Sequence, residues 1–158
     1  MSRWIGKILA KPFTPMILHN FRTIGALCRA FYEKYGDEAL PVISKVTGEA
    51  GVEGAKMAQS KLKGKGMRAV AELFKMYEMF DLPIEIIDLT DDMIHFKHTT
   101  PCPFGLEGTA KELCKAVESR GEKMVSTLLG EEVEAKVLKC VAGGDEYCEV
   151  IYTKRVVK

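Results

Sequence analysis

The spacing of apolar residues changes at Leu82-Pro83, and this change constrains the fold more than any other feature of the chain. Before it, apolar residues recur every three or four positions, as on one face of a helix, most clearly over residues 16–35. After it come two short runs of strand type, IEIIDL at 84–89 and MIHFKH at 93–98, joined by a polar turn. The chain is therefore predicted to form helices first and strands later.

The same patterns predict the remaining elements. Helices are expected at residues 16–35, 37–62, 67–80 and 109–129, and strands at 84–89, 93–98, 133–140 and 148–155. The order ααα–ββ–α–ββ predicts an α+β fold, with N-terminal helices packed on an antiparallel sheet and a β-β-α-β-β C-terminal half. We expect one domain over residues 1–158, with a helical portion at 1–80 and a sheet and cysteine portion at 81–158.

Local signals suggest where the helices begin and end. Asp37 is expected to cap the second helix, and the sequence Thr109-Ala-Lys-Glu112 to form a capping box at the fourth. Gly36 and Gly130 are expected to end the first and fourth helices.

Three glycines, Gly48, Gly51 and Gly54, fall at three-residue spacing within the second predicted helix. Glycine in a helix interior costs ~1 kcal/mol relative to alanine, so something should offset the loss. Close approach of another helix or of a ligand would do so. The alternative is a break into two shorter helices.

Charge and hydropathy exclude two classes of partner. The 23 basic and 22 acidic residues give a net charge of +1, which provides no electrostatic case for nucleic acid. No apolar run approaches the ~18–20 residues that a membrane-spanning helix needs. The N-terminal MSRWIGKILAKPF lacks the features of a signal peptide, so we expect a cytoplasmic location. Residues 1–12 are predicted to form an apolar arm, which suggests a homodimer.

Four of the five cysteines, Cys102, Cys114, Cys140 and Cys148, fall in the last third of the chain. The last two flank VAGGDEY, so a hairpin centred near Gly144 would place them roughly opposite each other. Cross-strand partners lie ~4.5–5.5 Å apart at Cβ, close enough to share a metal ion. Metal ligation, reactive thiols and unrelated reduced cysteines all remain open at this point.

The segment CPF…ELC…KC…GDEYCEV resembles the 4-vinyl reductase domain superfamily. That group includes ligand-sensing domains of phenol-responsive transcription activators and proteins similar to bacteriochlorophyll 4-vinyl reductase subunits. The resemblance covers residues 70–155 most fully. It implies a structural zinc ion held by Cys114, Cys140 and Cys148.

The fourth zinc ligand is expected to differ from that of the sensors. They use an acidic residue near the second cysteine, where this chain has the apolar Val137 and Leu138. Cys102 is therefore expected to complete the site, with Glu149 and His98 as lesser candidates. A closed site of thiolates stabilises a fold and leaves no coordination position open for water.

A second resemblance is to the L-2-amino-thiazoline-4-carboxylate hydrolase-like family, carried by CPF, ELC and GDEYC and by YGDEALPVISK in the helical half. It implies a cysteine- or metal-dependent enzyme, with Cys102 as the nucleophile. Cysteine catalysis needs a lowered thiol pKa and a nearby base, for which His95 and His98 are the candidates. The first resemblance keeps vinyl reduction as a further enzymatic alternative.

The first resemblance also implies a pocket for a small hydrophobic or aromatic molecule between the helices and the sheet. Phe74, Tyr77, Phe96 and His98 are the expected ligand-binding residues. The chain contains no P-loop, dinucleotide fingerprint, HExxH or GxSxG motif. We therefore expect a small-molecule-binding domain, a sensor or an accessory factor in tetrapyrrole metabolism, in preference to a self-sufficient enzyme.

Overall fold

The computed structural model describes residues 11–98 and 101–155, so residues 1–10 of the predicted arm lie outside it. Four helices and four strands follow one another in the predicted order. They are α1 (Thr14–Tyr35), α2 (Ala39–Gln59), α3 (Met67–Tyr77), β1 (Ile84–Leu89), β2 (Met93–His98), α4 (Lys111–Leu129), β3 (Val133–Lys139) and β4 (Cys148–Lys154). The α+β class is confirmed.

The four strands form one antiparallel sheet in the order β1-β2-β4-β3. In the central pair, Phe96 lies opposite Val150 and His98 lies opposite Cys148. Because side chains alternate between the two faces of a strand, these four residues share one face of the sheet. Phe96 and Val150 are buried there and belong to the core, so this is the face that the helices cover.

The glycines of α2 lie against α4. A Cβ at Gly51 would overlap the backbone carbonyl of Arg120, and one at Gly48 would come within 3.1 Å of the Lys123 side chain. The helix is continuous over Ala39–Gln59. The interpretation as a close helix contact is therefore correct, and the break into two helices is wrong.

The predicted N-caps are wrong, whereas the predicted glycine ends are confirmed. Asp37 lies inside a single 3-10 turn that leads directly into α2, and its carboxylate accepts a hydrogen bond from the Tyr32 hydroxyl at 3.3 Å. The N-cap position of α4 is occupied by Ala110 and has no side-chain capping bond, and the Thr109 hydroxyl donates to the Leu106 carbonyl at 2.7 Å. Gly36 and Gly130 follow α1 and α4 with φ of 60° and 67°, values that favour glycine.

The interior consists of two apolar clusters. One joins α3 and α4 to the sheet and contains Val70, Phe74, Ile94, Val125 and Tyr152. The other joins α2, the start of α4 and the loop over residues 101–110, and contains Ile43, Cys102, Leu106, Leu113 and Cys140. No helix in the described part of the chain is long and apolar enough to cross a membrane.

Candidate functional site: an apolar cavity beside four cysteines

A cavity of about 170 Å³ lies where the two core clusters meet. The first half of α1, α3, α4, the inner face of the sheet and the loop over residues 101–110 form its walls. Its rings come from Phe21, Phe74, Tyr77, Phe96, Phe104 and Tyr152, and its aliphatic surface from Leu82, Ile84, Leu106, Val117, Met124 and Val150. Such a largely apolar lining with few polar groups is typical of small-molecule sites.

All four residues expected to bind a ligand line this cavity: Phe74, Tyr77, Phe96 and His98. The Phe74 ring lies edge-on to Phe96 at 4.7 Å between centroids, and Phe96 lies 5.5 Å from Tyr152. The first pair is edge-to-face and the second is tilted by 38°, and aromatic contacts at these distances are favourable, so the rings hold one another in place. The structure brings the four together, and their contact with a ligand stays a prediction.

The loop over residues 101–110 closes the cavity on the side of α1. The Arg29 guanidinium donates to the carbonyls of Gly105 and Glu107, at 2.8 and 3.1 Å. The Phe104 carbonyl lies so close to Gly25 that any side chain at position 25 would overlap it. The Phe104 ring meets Phe21 edge-on at 5.1 Å. This loop is therefore tied to α1 by both hydrogen bonds and ring packing.

Glu118 and Tyr152 are two polar residues of the lining that sequence reasoning missed. The Tyr152 hydroxyl donates a hydrogen bond to Glu118 Oε1. Burial raises the pKa of Glu118 to about 7, although the bond from Tyr152 opposes the rise. Burial and the neighbouring carboxylate raise the pKa of Tyr152 well above its ordinary value. The available signal was a glutamate four residues after Cys114, on the helix face that also carries Gly121.

Three of the four cysteines, Cys102, Cys114 and Cys148, line the cavity. Cys140 is fully buried, and its thiol lies within hydrogen-bond reach of the Cys114 thiol. The strand ladder ends at the Lys139–Glu149 pair, so the predicted hairpin places Cys140 and Cys148 just beyond it. The structure thus brings the four cysteines into one region.

Burial raises the thiol pKa of the three cysteines that line the cavity. Burial raises the pKa of Cys148 to about 11. Burial also raises the pKa of Cys114 well above its ordinary value, and the neighbouring Cys140 raises it further. Burial also raises the pKa of Cys102. Since the thiolate is the nucleophile, none of these three is an activated catalytic cysteine as it stands.

The donor set does not form a metal site in its present geometry. Over residues 11–98 and 101–155, no group of three or more His, Cys, Asp or Glu side chains is arranged to hold a metal ion. Zinc would require thiols that burial now keeps protonated to lose their protons. A structural zinc at Cys114, Cys140 and Cys148, completed by Cys102, therefore stays a prediction.

Metal content of protein purified without a tag or chelator tests that prediction. If zinc is bound, we expect about one zinc per chain and three or four thiols protected from a thiol reagent until chelation. A Cys140→Ser variant should then lose the metal, whereas Cys28→Ser, on α1, should keep it. Metal-free protein with unprotected thiols in the native state would rule out the zinc site.

Two candidates from the sequence lie on the wrong face of the sheet. His95 precedes Phe96, and Glu149 precedes Val150. Because side chains alternate along a strand, both point to the outer face, where His95 Nε2 and Glu149 Oε1 are 2.8 Å apart. His95 therefore cannot act as a base for Cys102, and Glu149 cannot be the fourth zinc ligand. His98 lies on the inner face, opposite Cys148.

A second depression, of about 280 Å³, lies at the end of α4. Its lining includes Glu122, Lys123, Glu131, Glu132 and Arg155, and Arg155 pairs with Glu132 at 3.4 Å. Exposed pairs of this kind are ordinary features of a protein surface. We regard the apolar cavity as the candidate site.

The fold and the cavity define an α+β domain with a partly open apolar site between helices and sheet. Among the solved structures that share this fold are the following two. The phenol-responsive sensory domain of the transcription activator PoxR, solved with phenol, is 17% identical with a TM-score of 0.62, over 85% of this chain and 74% of that one. Subunit 3 of the trafficking protein particle complex from Naegleria fowleri, covalently bound to palmitic acid, is 15% identical with a TM-score of 0.65, over 98% of both chains. No protein-family model and no curated protein matches the sequence.

These likenesses extend to the fold alone. PoxR is a phenol-responsive activator, the kind of protein whose sensing domain the cysteine motif resembles. The α+β architecture is therefore shared with a phenol-responsive sensory domain, and no family is shown for this chain.

Proposed function

We propose that this chain is a small-molecule-binding domain of sensory type, whose ligand is a small hydrophobic molecule with one aromatic ring. The observation that carries the proposal is the cavity of about 170 Å³ lined by aromatic and aliphatic side chains. An apolar cavity of ~150 Å³ engineered into another protein binds benzene, so this volume suits a single ring.

The size of the cavity also distinguishes between possible ligands. A 16-carbon acyl chain like that bound to the trafficking subunit is much larger than one ring, and so is a tetrapyrrole with its four linked pyrroles. The phenol held by the PoxR domain is of the right size. These comparisons favour a sensory role over an accessory role in tetrapyrrole metabolism.

Neither a catalytic role nor a homodimer gains comparable support. The raised pKa of Cys102 disfavours a nucleophilic thiol, which leaves the enzyme as the weaker alternative. Exposed apolar side chains on α1 and α2, among them Met16, Leu27 and Val46, are compatible with the predicted homodimer. That dimer stays a prediction.

Filling the cavity tests the proposal. We expect wild-type protein to bind benzene, toluene and phenol in calorimetric titrations, and Val117→Phe to weaken binding at least tenfold. The reason is that Val117 lines the cavity, so the larger side chain would occupy the space of the ligand. Cavity-filling substitutions commonly add ~0.5–2 kcal/mol of stability, so the melting temperature should not fall.

Leu27→Phe is the matched control, because the Leu27 side chain is 67% exposed on α1. It adds similar bulk outside the cavity and should bind the same molecules as the wild type. Failure of wild-type protein to bind any of the three molecules would refute the proposed function. Unchanged binding in Val117→Phe would place the ligand elsewhere.

A further inference from the structure

Three oxygen-bearing side chains line the cavity: Glu118 on α4, Tyr152 on β4 and Tyr77 at the end of α3. The Tyr152 hydroxyl donates to Glu118 Oε1. The Tyr77 hydroxyl lies 3.7 Å from the thioether sulfur of Met124. In an otherwise mostly apolar lining, these groups decide which polar atoms a ligand can carry.

The contact between Glu118 and Tyr152 depends on a glycine. A Cβ at Gly121 would overlap the Tyr152 hydroxyl oxygen and would come within 2.5 Å of Glu118 Oε1. Glycine inside a helix costs ~1 kcal/mol relative to alanine, and here it allows the tyrosine to reach the helix surface. Tyr152 thereby fixes the position of the Glu118 carboxyl group at the cavity wall.

Tyr77 offers the complementary half of a polar site. A thioether is a weak hydrogen-bond acceptor, so the Tyr77 hydroxyl is a partly buried donor with a poor partner. An oxygen atom of a ligand would be a better one, and a buried donor gains from finding it. Glu118, by contrast, presents carboxyl oxygens that accept.

The charges around the cavity disfavour ionic ligands. The Arg120 guanidinium also lines the cavity and lies 5.5 Å from the centroid of the Phe21 ring. A cationic ligand would be repelled by this arginine but attracted by Glu118, and for an anionic ligand the two effects are reversed, so neither gains a net electrostatic advantage. Both would also lose hydration on entering an apolar site. The lining therefore suits an uncharged molecule.

We propose that Glu118 and Tyr77 are the specificity-determining residues of the cavity, and that they select an uncharged single ring bearing a hydroxyl group. The ligand hydroxyl donates to the Glu118 carboxyl group and accepts from the Tyr77 hydroxyl, while the ring packs against Phe74 and Phe96. Tyr152 acts as a positioning residue through Glu118. This inference rests on the proposed function and adds to it the chemical class of the ligand.

The test compares phenol with toluene, which have the same shape but differ in the hydroxyl. Calorimetric titration of wild-type protein should give about tenfold tighter binding of phenol, since hydrogen bonds of this kind are worth about one factor of ten. Tyr77→Phe removes one hydroxyl and keeps the ring. It should reduce the ratio of phenol affinity to toluene affinity about threefold or more. Toluene affinity should stay within about twofold of wild type, because no hydrogen bond to it is lost.

A second variant removes the other half of the site. Glu118→Leu combined with Tyr152→Phe deletes the carboxyl group and the hydroxyl together, so that neither is left buried without its partner. This double variant should also reduce the ratio of phenol affinity to toluene affinity. Tyr147→Phe is the matched control, because the Tyr147 hydroxyl accepts a hydrogen bond from Lys139 at 2.6 Å outside the cavity lining. It should leave the ratio unchanged.

The outcomes separate this inference from the proposed function. If neither phenol nor toluene binds to wild-type protein, the proposed function fails and this inference fails with it. If both bind equally well, the cavity binds rings and only the polar selection is wrong. A phenol preference that persists in Tyr77→Phe and in the double variant, each folded by circular dichroism, would also overturn the selection.

Discussion

Gly51→Ala is expected to destabilise the protein by about 1–2 kcal/mol net, although alanine is the better helix former. The added methyl group would overlap the Arg120 carbonyl, which is backbone and cannot rotate away. Relieving the overlap requires α2 and α4 to move apart along a contact that buries Ile43, Thr47 and Ala55. Overpacking of this kind costs ~1–3 kcal/mol or more, which exceeds the ~1 kcal/mol gained in helix propensity.

Gly54→Ala is the matched control for that variant. It lies three residues further along the same helix, and a Cβ there would meet only the Arg120 guanidinium nitrogen, at 4.0 Å. Without an overlap, only the propensity term acts, and we expect a gain of about 0.5–1 kcal/mol. Urea unfolding of both variants measures the two effects. Equal shifts of the same sign would contradict the close helix contact.

The glycine positions also show what the sequence can predict and where it stops. Three glycines in a helical pattern indicate a close neighbour, because their cost needs an offset. They do not identify the neighbour. In the structure it is α4, more than sixty residues later in the chain, and it meets Gly48 and Gly51 but hardly touches Gly54.

The strands were the most predictable part of the fold. The sequence also shows which residues share a face of the sheet, but not which face the helices cover. The alternation in MIHFKH separates His95 from His98 without any structure. Packing decides which of these two histidines lies on the side of the sheet that the helices cover. The structure assigns His98 to the cavity lining and pairs His95 with Glu149 at 2.8 Å. The sequence therefore left two histidines as candidates where the fold allows one.

The polar part of the cavity could not be predicted by local reasoning. A glutamate on a helix is ordinarily exposed, and the position of Glu118 on the same helix face as Gly121 does not by itself overturn that expectation. Its partner Tyr152 lies 34 residues away, on the last strand. The contact exists only because α4 crosses the inner face of the sheet at Gly121. Pairs of this type become visible only in three dimensions.

Phe74→Ala is expected to have the largest effect of any single change in the cavity, a loss of about 3–5 kcal/mol in the free energy of unfolding. The Phe74 side chain is only 3% exposed. Its ring contacts those of Phe96, Tyr77 and Tyr152 at centroid distances of 4.7, 6.4 and 6.2 Å. Removing it loses both the burial of the ring and its aromatic contacts, and leaves a void that the rigid sheet cannot close.

The same substitution should change what the cavity binds, which separates a ligand site from ordinary core. Because Phe74 lines the existing cavity, its removal adds volume to the site, and we expect larger rings such as indole to gain affinity relative to benzene. Phe13→Ala is the control, since the Phe13 side chain is 56% exposed, and it should alter stability by less than about 0.5 kcal/mol. Thermal unfolding with and without each molecule measures both quantities, because a ligand that binds only the folded state raises the melting temperature. If Phe74→Ala is destabilised as expected but indole and benzene keep their wild-type ranking, Phe74 belongs to the core and does not shape the ligand site.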